Sequence, residues 1–383
     1  MTSIGMTQYL RDTRAGSGVG WSRTSGRPLT LASPPRVPGL TPDLQDTLDF
    51  LVKKLIHKQQ RNLLRRRYYD YKQTASSIGL NLASDLARLG SVLGWPAKAV
   101  DSMVRRTVLD TWITPDEDSA DDIGLTSIIE ANQLQTLIPA ALTACLMHSC
   151  AFGFVSAGGE GEPDVLVSFA SAETATAEWD ERLRGPIAAL SVVSWDAQGA
   201  PDHMALYVPG LVVVMRRSLN TWTVDPSEYD ETLGLPVYPI AYQPLLGRPF
   251  GASRISRPVM ALTDSAVRTL VRTEIGAEFY NLPQRYVLGA NPSAFKDHGE
   301  DVPGWISNLK SLWTLSRDKD GQIPQVGQFT QATMQPNVDH FRMIAQTFAA
   351  ETSLPLRSLG VVGDNPESAD AIMEANRELE LEI

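Results

Sequence analysis

Cysteine is nearly absent: Cys145 and Cys150 are the only two in 383 residues. Two cannot make a disulfide framework, and a reducing compartment is the simpler setting. No run of eighteen or more apolar residues occurs, which rules out a hydrophobic membrane-spanning helix. The opening MTSIGMTQYLRDTRAGSG lacks the apolar centre of a secretory signal, so export by that route is not expected. Histidine is sparse as well. His57, His148, His203, His298 and His340 are scattered, with no spacing to carboxylates or cysteines that suggests a metal site. His148-Ser149-Cys150 therefore reads as part of a core helix or its edge.

The motifs of common catalytic sites are missing too. There is no GxxxxGK[ST] phosphate loop, no HExxH and no GxSxG. The GSGVG at 16–20 follows no strand and opens no helix, so it is not read as a dinucleotide loop. Asp116, Glu117, Asp118, Asp121 and Asp122 cluster, but without the glycine and terminal glutamate of a calcium loop. They read as a solvated loop, and a metal-dependent nuclease built on them is the remaining enzymatic alternative. No catalytic residue and no cofactor is expected.

What is present is a polarised charge. The net charge is −10, yet residues 1–67 hold twelve Lys/Arg and four Asp/Glu, or +8, which leaves −18 for the rest. A basic front on an acidic body argues against a protein that coats nucleic acid with its whole surface. Residues 1–40, rich in Gly, Ser, Thr and Pro, read as a disordered basic arm.

Ordered structure begins at Thr41-Pro42-Asp43, the signature of a helix start. Leu44, Leu48, Leu51 and Leu55 follow on one helical face. Seven cations and no acid lie between Lys53 and Arg67, ahead of Tyr68-Tyr69-Asp70-Tyr71. Such a run can grip single-stranded nucleic acid, but a solvated helix face is the simpler reading. A second helix is expected over 95–110 and helical, apolar sequence over 125–150. Four β-rich runs then follow, at 165–171, 187–195, 203–208 and 211–217, separated by Gly/Pro/Asp turns. A long helix is expected from about 253 to 280, an irregular module over 283–335, and further helices over 337–352 and from 369. Asp264, Arg268 and Arg272 stand four apart, as a ladder of charged pairs requires. The last helix stops without a cap, as if the sequence ended short of its natural end. The fold class is α+β: helices and an antiparallel meander in separate runs.

Four stretches, in this order, resemble the portal proteins of tailed bacteriophages, the siphophage family of actinobacterial phages. They are LLRRRYYDY (63–71), VLGWPAKAVDSMVRRTVLDTW (92–112), FGASRISRPVMALTDSAVRTLVRTEIGAEFYNLPQRYVLG (250–289) and LPLRSLGVVGDNPESADAIMEANREL (354–379). The resemblance implies a ring, usually of twelve subunits, at one capsid vertex. Double-stranded DNA would pass through it in packaging and ejection. The partners implied are a terminase motor, head-completion or adaptor proteins, and the major capsid and scaffold proteins, with no membrane. The setting implied is the virion, and the host cytoplasm during assembly. Another head–tail connector or minor capsid protein is the alternative.

On that plan, residues 41–252 form an α/β wing, and 253–282 and 336–352 are two long stem helices. Residues 283–335 are a small clip, and 353–383 are the tunnel loop and the start of a helix toward a truncated crown. The tunnel loop would place Gly360, Val361, Val362, Gly363, Asp364 and Asn365 in the channel. Val267, Leu270 and Val271 would make stem contacts, and Trp305 and Trp313 partner contacts at the clip. An acidic or neutral channel would let DNA slide, since each paired phosphate tightens binding.

Overall fold

The computed structural model describes residues 31–72, 92–107, 124–159, 161–196, 199–218, 221–280, 285–289, 296–297, 300–301, 323, 325–328, 333–361 and 369–382. Within them the chain is a mixed assembly of helices and antiparallel sheets.

Helix α1 (Pro42–Tyr69) starts where the Thr-Pro-Asp signal places it and runs for 28 residues, about 42 Å. Leu48, Leu51, Val52 and Leu55 are buried on one face. Residues 31–40, read from the sequence as part of a disordered arm, pack against this helix: Leu31 and Val37 are buried in the same core. Gln45 fastens the segment, accepting from Val37 N–H at 3.1 Å and donating to Pro35 O at 3.0 Å. Prolines at 34, 35 and 38 pre-extend the backbone, a signal that composition alone reads as disorder.

Helix α2 (Trp95–Val104) is shorter than expected and turns at Arg105. The apolar stretch over 125–150 divides into α3 (Leu125–Ala131) and α4 (Leu134–His148), with Gln133 at positive φ between them. It then passes directly into β1 (Cys150–Ala157).

Two sheets follow. β1 pairs antiparallel with β2 (Val165–Ser171) on one side and β8 (Val237–Ala241) on the other. Between β2 and β8 the chain makes a five-stranded meander: β3 (Ala175–Asp180), β4 (Gly185–Trp195), β5 (Pro201–Val208), β6 (Leu211–Ser218) and β7 (Thr221–Glu228). Alternate residues of the meander enter two different cores. Leu190, Met204 and Leu206 face the core with α1, whereas Ala189, Ala205 and Tyr207 join Phe152 and Phe154 of β1. Burial on both faces explains why β4 and β5 read as continuous apolar runs. β7 carries Pro226 and lies at the sheet edge, where a missing donor is tolerated.

Helix α5 (Arg257–Tyr280) and helix α6 (Gln335–Glu351) pack together as a hairpin. At one end, β9 (Arg285–Leu288) pairs antiparallel with β12 (Gln325–Gln328). Two further short strands, β10 (Lys296–Asp297) and β11 (Glu300–Asp301), lie between these in sequence. At the other end, α6 leads through a short 3-10 turn (Leu356–Leu359) toward α7 (Ala369–Glu382). α5 starts later than its apolar pattern suggests because Ser253 and Arg254 are engaged in tertiary hydrogen bonds and Pro258 suits a first turn.

Candidate functional site

The four stretches that carry the portal resemblance converge on one buried junction. Its apolar part joins Tyr68 of α1, Trp95, Ala99 and Val100 of α2, Val259 and Ala266 of α5, and Ile344 and Phe348 of α6. Leu379 of α7 enters the same core. Trp95 lies 5.5 Å from the ring of Phe341 and 5.0 Å from that of Phe348, both tilted. Such pairs add about 0.5–1.5 kcal/mol beyond area burial.

Polar contacts fix how the elements meet. Arg254, 6% exposed, donates from Nε to Ala99 O on α2 at 2.6 Å and from Nη2 to Thr352 O just past α6, also at 2.6 Å. Its Nη1 donates to the Tyr242 hydroxyl at 3.1 Å. The planar guanidinium thus ties three segments with a fork that a lysine cannot reproduce. Backbone closes the knot: Arg254 N donates to Leu146 O at 2.8 Å, and Ser253 Oγ to Met147 O at 2.6 Å.

Two tyrosines complete it. Tyr68 Oη lies 2.9 and 2.8 Å from the carboxylate oxygens of Asp264 on α5, and Tyr69 donates to Asp101 on α2 at 2.8 Å. Burial, followed by these bonds, raises both phenol pKa values well above the usual range. Burial also raises the Asp264 carboxyl, against the opposing effects of Tyr68 and Arg268. Lys98 Nζ donates to Ser358 O at 2.6 Å, so α2 also holds the segment that follows α6.

The expected His148-Ser149-Cys150 placement holds. His148 ends α4 and is 1% exposed, with Nε2 3.4 Å from Glu173 Oε1, whose other oxygen accepts from Arg66 at 3.2 Å. Burial, then the nearby Arg66, Arg65 and Arg61, pushes the imidazole pKa well below its ordinary value. Burial raises the Cys145 thiol to about 12 and the Cys150 thiol to about 11. Neither cysteine is poised as a nucleophile. Among the described residues, no group of three or more His, Cys, Asp or Glu side chains is placed to hold a metal.

Of the residues singled out from sequence, Val267 and Val271 are buried within the chain itself, packed by Leu93 and Ile275, and Leu270 is half-buried. Gly360 is exposed at φ +81° after the 3-10 turn, and Val361 packs onto the junction core. Val362, Gly363, Asp364 and Asn365 lie outside the described residues, as do Trp305, Trp313 and the acids from Asp116 to Asp122. Arg254 was not singled out at all. Its only local signal is an arginine beside an apolar residue at a helix approach, and its acceptors are 155 and 98 positions away.

The family model described as phage portal protein, SPP1 Gp6-like, matches residues 48–383. The chain belongs to that phage portal protein family. The portal protein of Mycobacterium phage D29 is 27% identical over 319 residues, and that of Mycobacterium phage L5 28% over 323. Each alignment takes in 82% of this chain and 65% of the relative, so the chain spans about two thirds of those portal proteins. A chain of a native gene transfer agent virion aligns over 82% of this chain and 80% of its own, at 12% identity and a TM-score of 0.39. The match runs from within α1 through α7, and the Arg254 junction gathers residues of six of these helices, α1, α2 and α4 to α7.

Proposed function

We propose that the chain is a subunit of a phage portal: a ring, typically of twelve copies, at one capsid vertex, through which double-stranded DNA is packaged and ejected. The observation that carries this reading is the α5–α6 hairpin rooted in the Arg254 junction, within a chain that matches the portal family from residue 48 onward. In this reading α5 and α6 are the stem, and the sheets with α1 to α4 are the wing. The segment between β9 and β12 belongs to the clip that meets the motor and head-completion proteins, with Trp305 and Trp313 as its candidate contacts.

The chemistry suits a conduit. DNA has to slide, so the ring supplies shape and stiffness instead of tight phosphate contacts. Residues after Val361 would enter the channel, and the docking of Val361 on the junction core would hold the base of that loop. Because Val267 and Val271 are covered within the chain, the half-buried Leu270 is the one of the three best placed to meet a neighbouring subunit. The reading assigns no catalytic residue; a separate motor would supply the work.

Sedimentation velocity of the purified chain tests the ring. The expected result is a discrete species many times the 41.9 kDa chain mass. Leu270→Asp would shift that species toward monomer. A chain that sediments as a monomer at every concentration contradicts the proposal.

A further inference from the structure

The cationic run on α1 is only partly a solvated face. Lys54, Lys58, Arg61 and Asn62 recur at steps of four, three and one, which stacks them on one side of the helix. All four line a cavity of about 250 Å³, closed from the other side by the turn from Gly247 to Gly251 with Arg248. His148 and Cys150 also line it. None of Lys58, Arg61 and Arg248 is in an ion pair with a carboxylate among the described residues.

Polar groups inside the cavity are likewise unmatched. Asn62, 2% exposed, donates from Nδ2 to Ala172 O at 2.8 Å, but its Oδ1 finds no donor. The Nδ1 atom of His148, a fully buried ring, has no hydrogen-bond partner either. Buried polar atoms of this kind normally meet a protein group, a water or a ligand. Lys54 is fixed at the wall, donating to Ala177 O at 2.8 Å and lying 5.5 Å from the Phe250 ring centroid. Gly251 is required where the turn folds back: its φ is +67°, and a Cβ there would sit 2.0 Å from Tyr242 O.

We propose that this cavity is a binding site for a compact oxyanion of the phosphate class, held by Lys58, Arg61 and Arg248 with Lys54 and Asn62 behind them. The site is additional to the portal reading and does not depend on it. Several converging cations call for a multiply charged acceptor, and arginine forks match tetrahedral oxyanions. The volume falls below the roughly 300–1,000 Å³ of pockets for larger organic ligands, so the occupant is small. Monohydrogen phosphate also brings one hydroxyl, a donor for an acceptor such as Asn62 Oδ1. Clustering and burial depress the Lys58 pKa, burial first and then Arg61 and Arg65, and a bound anion would relieve that repulsion.

The phosphate could be free or carried by a nucleotide. Titration calorimetry on the full chain, at constant ionic strength set with chloride, separates these sources using inorganic phosphate, deoxyadenosine monophosphate and deoxyadenosine as probes. Saturable heat with inorganic phosphate alone supports a free-phosphate site, and heat with the monophosphate but not the nucleoside supports a nucleotide-borne one. In either case Lys58→Ala/Arg61→Ala weakens binding at least tenfold. Lys53→Ala/Arg67→Ala, the same charge change on exposed positions of α1 away from the cavity, leaves it intact. If the alanine pair alters the thermal melt, Lys58→Gln/Arg61→Gln replaces it. No saturable heat from either phosphate, equal binding of acetate, or equal binding by both double variants overturns the proposal.

Discussion

The hydroxyl of Tyr68, in the last turn of α1, sits 2.9 and 2.8 Å from the two carboxylate oxygens of Asp264, 196 positions later on α5. This contact links the C-terminal end of α1 to the first helix of the α5–α6 hairpin. Tyr68→Phe removes the donor and leaves a partly buried carboxylate under-satisfied. Hydrogen bonds to charged groups contribute about 1.5–3 kcal/mol, and a loss of that size is expected in urea unfolding, with the m-value unchanged.

Tyr68 and its neighbour Tyr69 set an alkaline limit. Tyr68 and Tyr69 have folded pKa values raised above the unfolded value near 10. Their contribution is therefore complete below pH of about 10 and is lost as pH rises through the folded values. Above pH of about 10 the unfolded chain releases these protons first, so stability falls by about 1.4 kcal/mol per pH unit for each tyrosine still protonated when folded. Melting curves from pH 9 to 11 should show this slope, and Tyr68→Phe should flatten it. An unchanged slope in that variant would contradict the assignment.

Much of α1 and of the two sheets was legible from local signals. The leucine ladder of α1 repeats at helical spacing and the four β-rich runs are set off by Gly/Pro/Asp turns, and those elements lie where these signals put them. β1 was not singled out as a strand, since CAFGFVSA is buried over its first five residues and carries little alternation. β7 was hidden by Pro226. The junction was legible only as separate motifs. Asp264 reads locally as the foot of a charged ladder with Arg268, and nothing near it in sequence points to Tyr68. Arg254 is equally silent, because its acceptors are carbonyls, which any residue supplies.

Arg254 should be the least replaceable side chain of the junction. Arg254→Lys can satisfy at most part of the fork, and Arg254→Ala removes the guanidinium donor from the Ala99 and Thr352 carbonyls. A loss of about 2–4 kcal/mol is expected for alanine and a smaller one for lysine. Trp95 fluorescence reports on the site, because its ring packs on Phe341 and Phe348 at the α6 face. Equal stability of all three proteins would remove Arg254 from its role.

Two glycines of one turn should respond differently. Gly251→Ala combines positive φ with a Cβ 2.0 Å from Tyr242 O, whereas a Cβ on Gly247 meets nothing within 4 Å. The first substitution should cost at least about 2 kcal/mol and the second stay within about 0.5 kcal/mol, as read from thermal melts.

Cys145 and Cys150 should resist thiol reagents in the folded chain at pH 8, because burial lifts their pKa values to about 12 and about 11. Both should react on unfolding in guanidinium. Rapid labelling of either in the native state would show that the α4–β1 corner is open.

Negative-stain imaging of the purified chain shows whether it closes into rings. The portal reading predicts closed rings with a central hole wide enough for duplex DNA, lost or broken in Arg254→Ala if the junction sets the angle between hairpin and wing. Fields of single small particles at concentrations where the chain is folded, with no ring in any class, would contradict it.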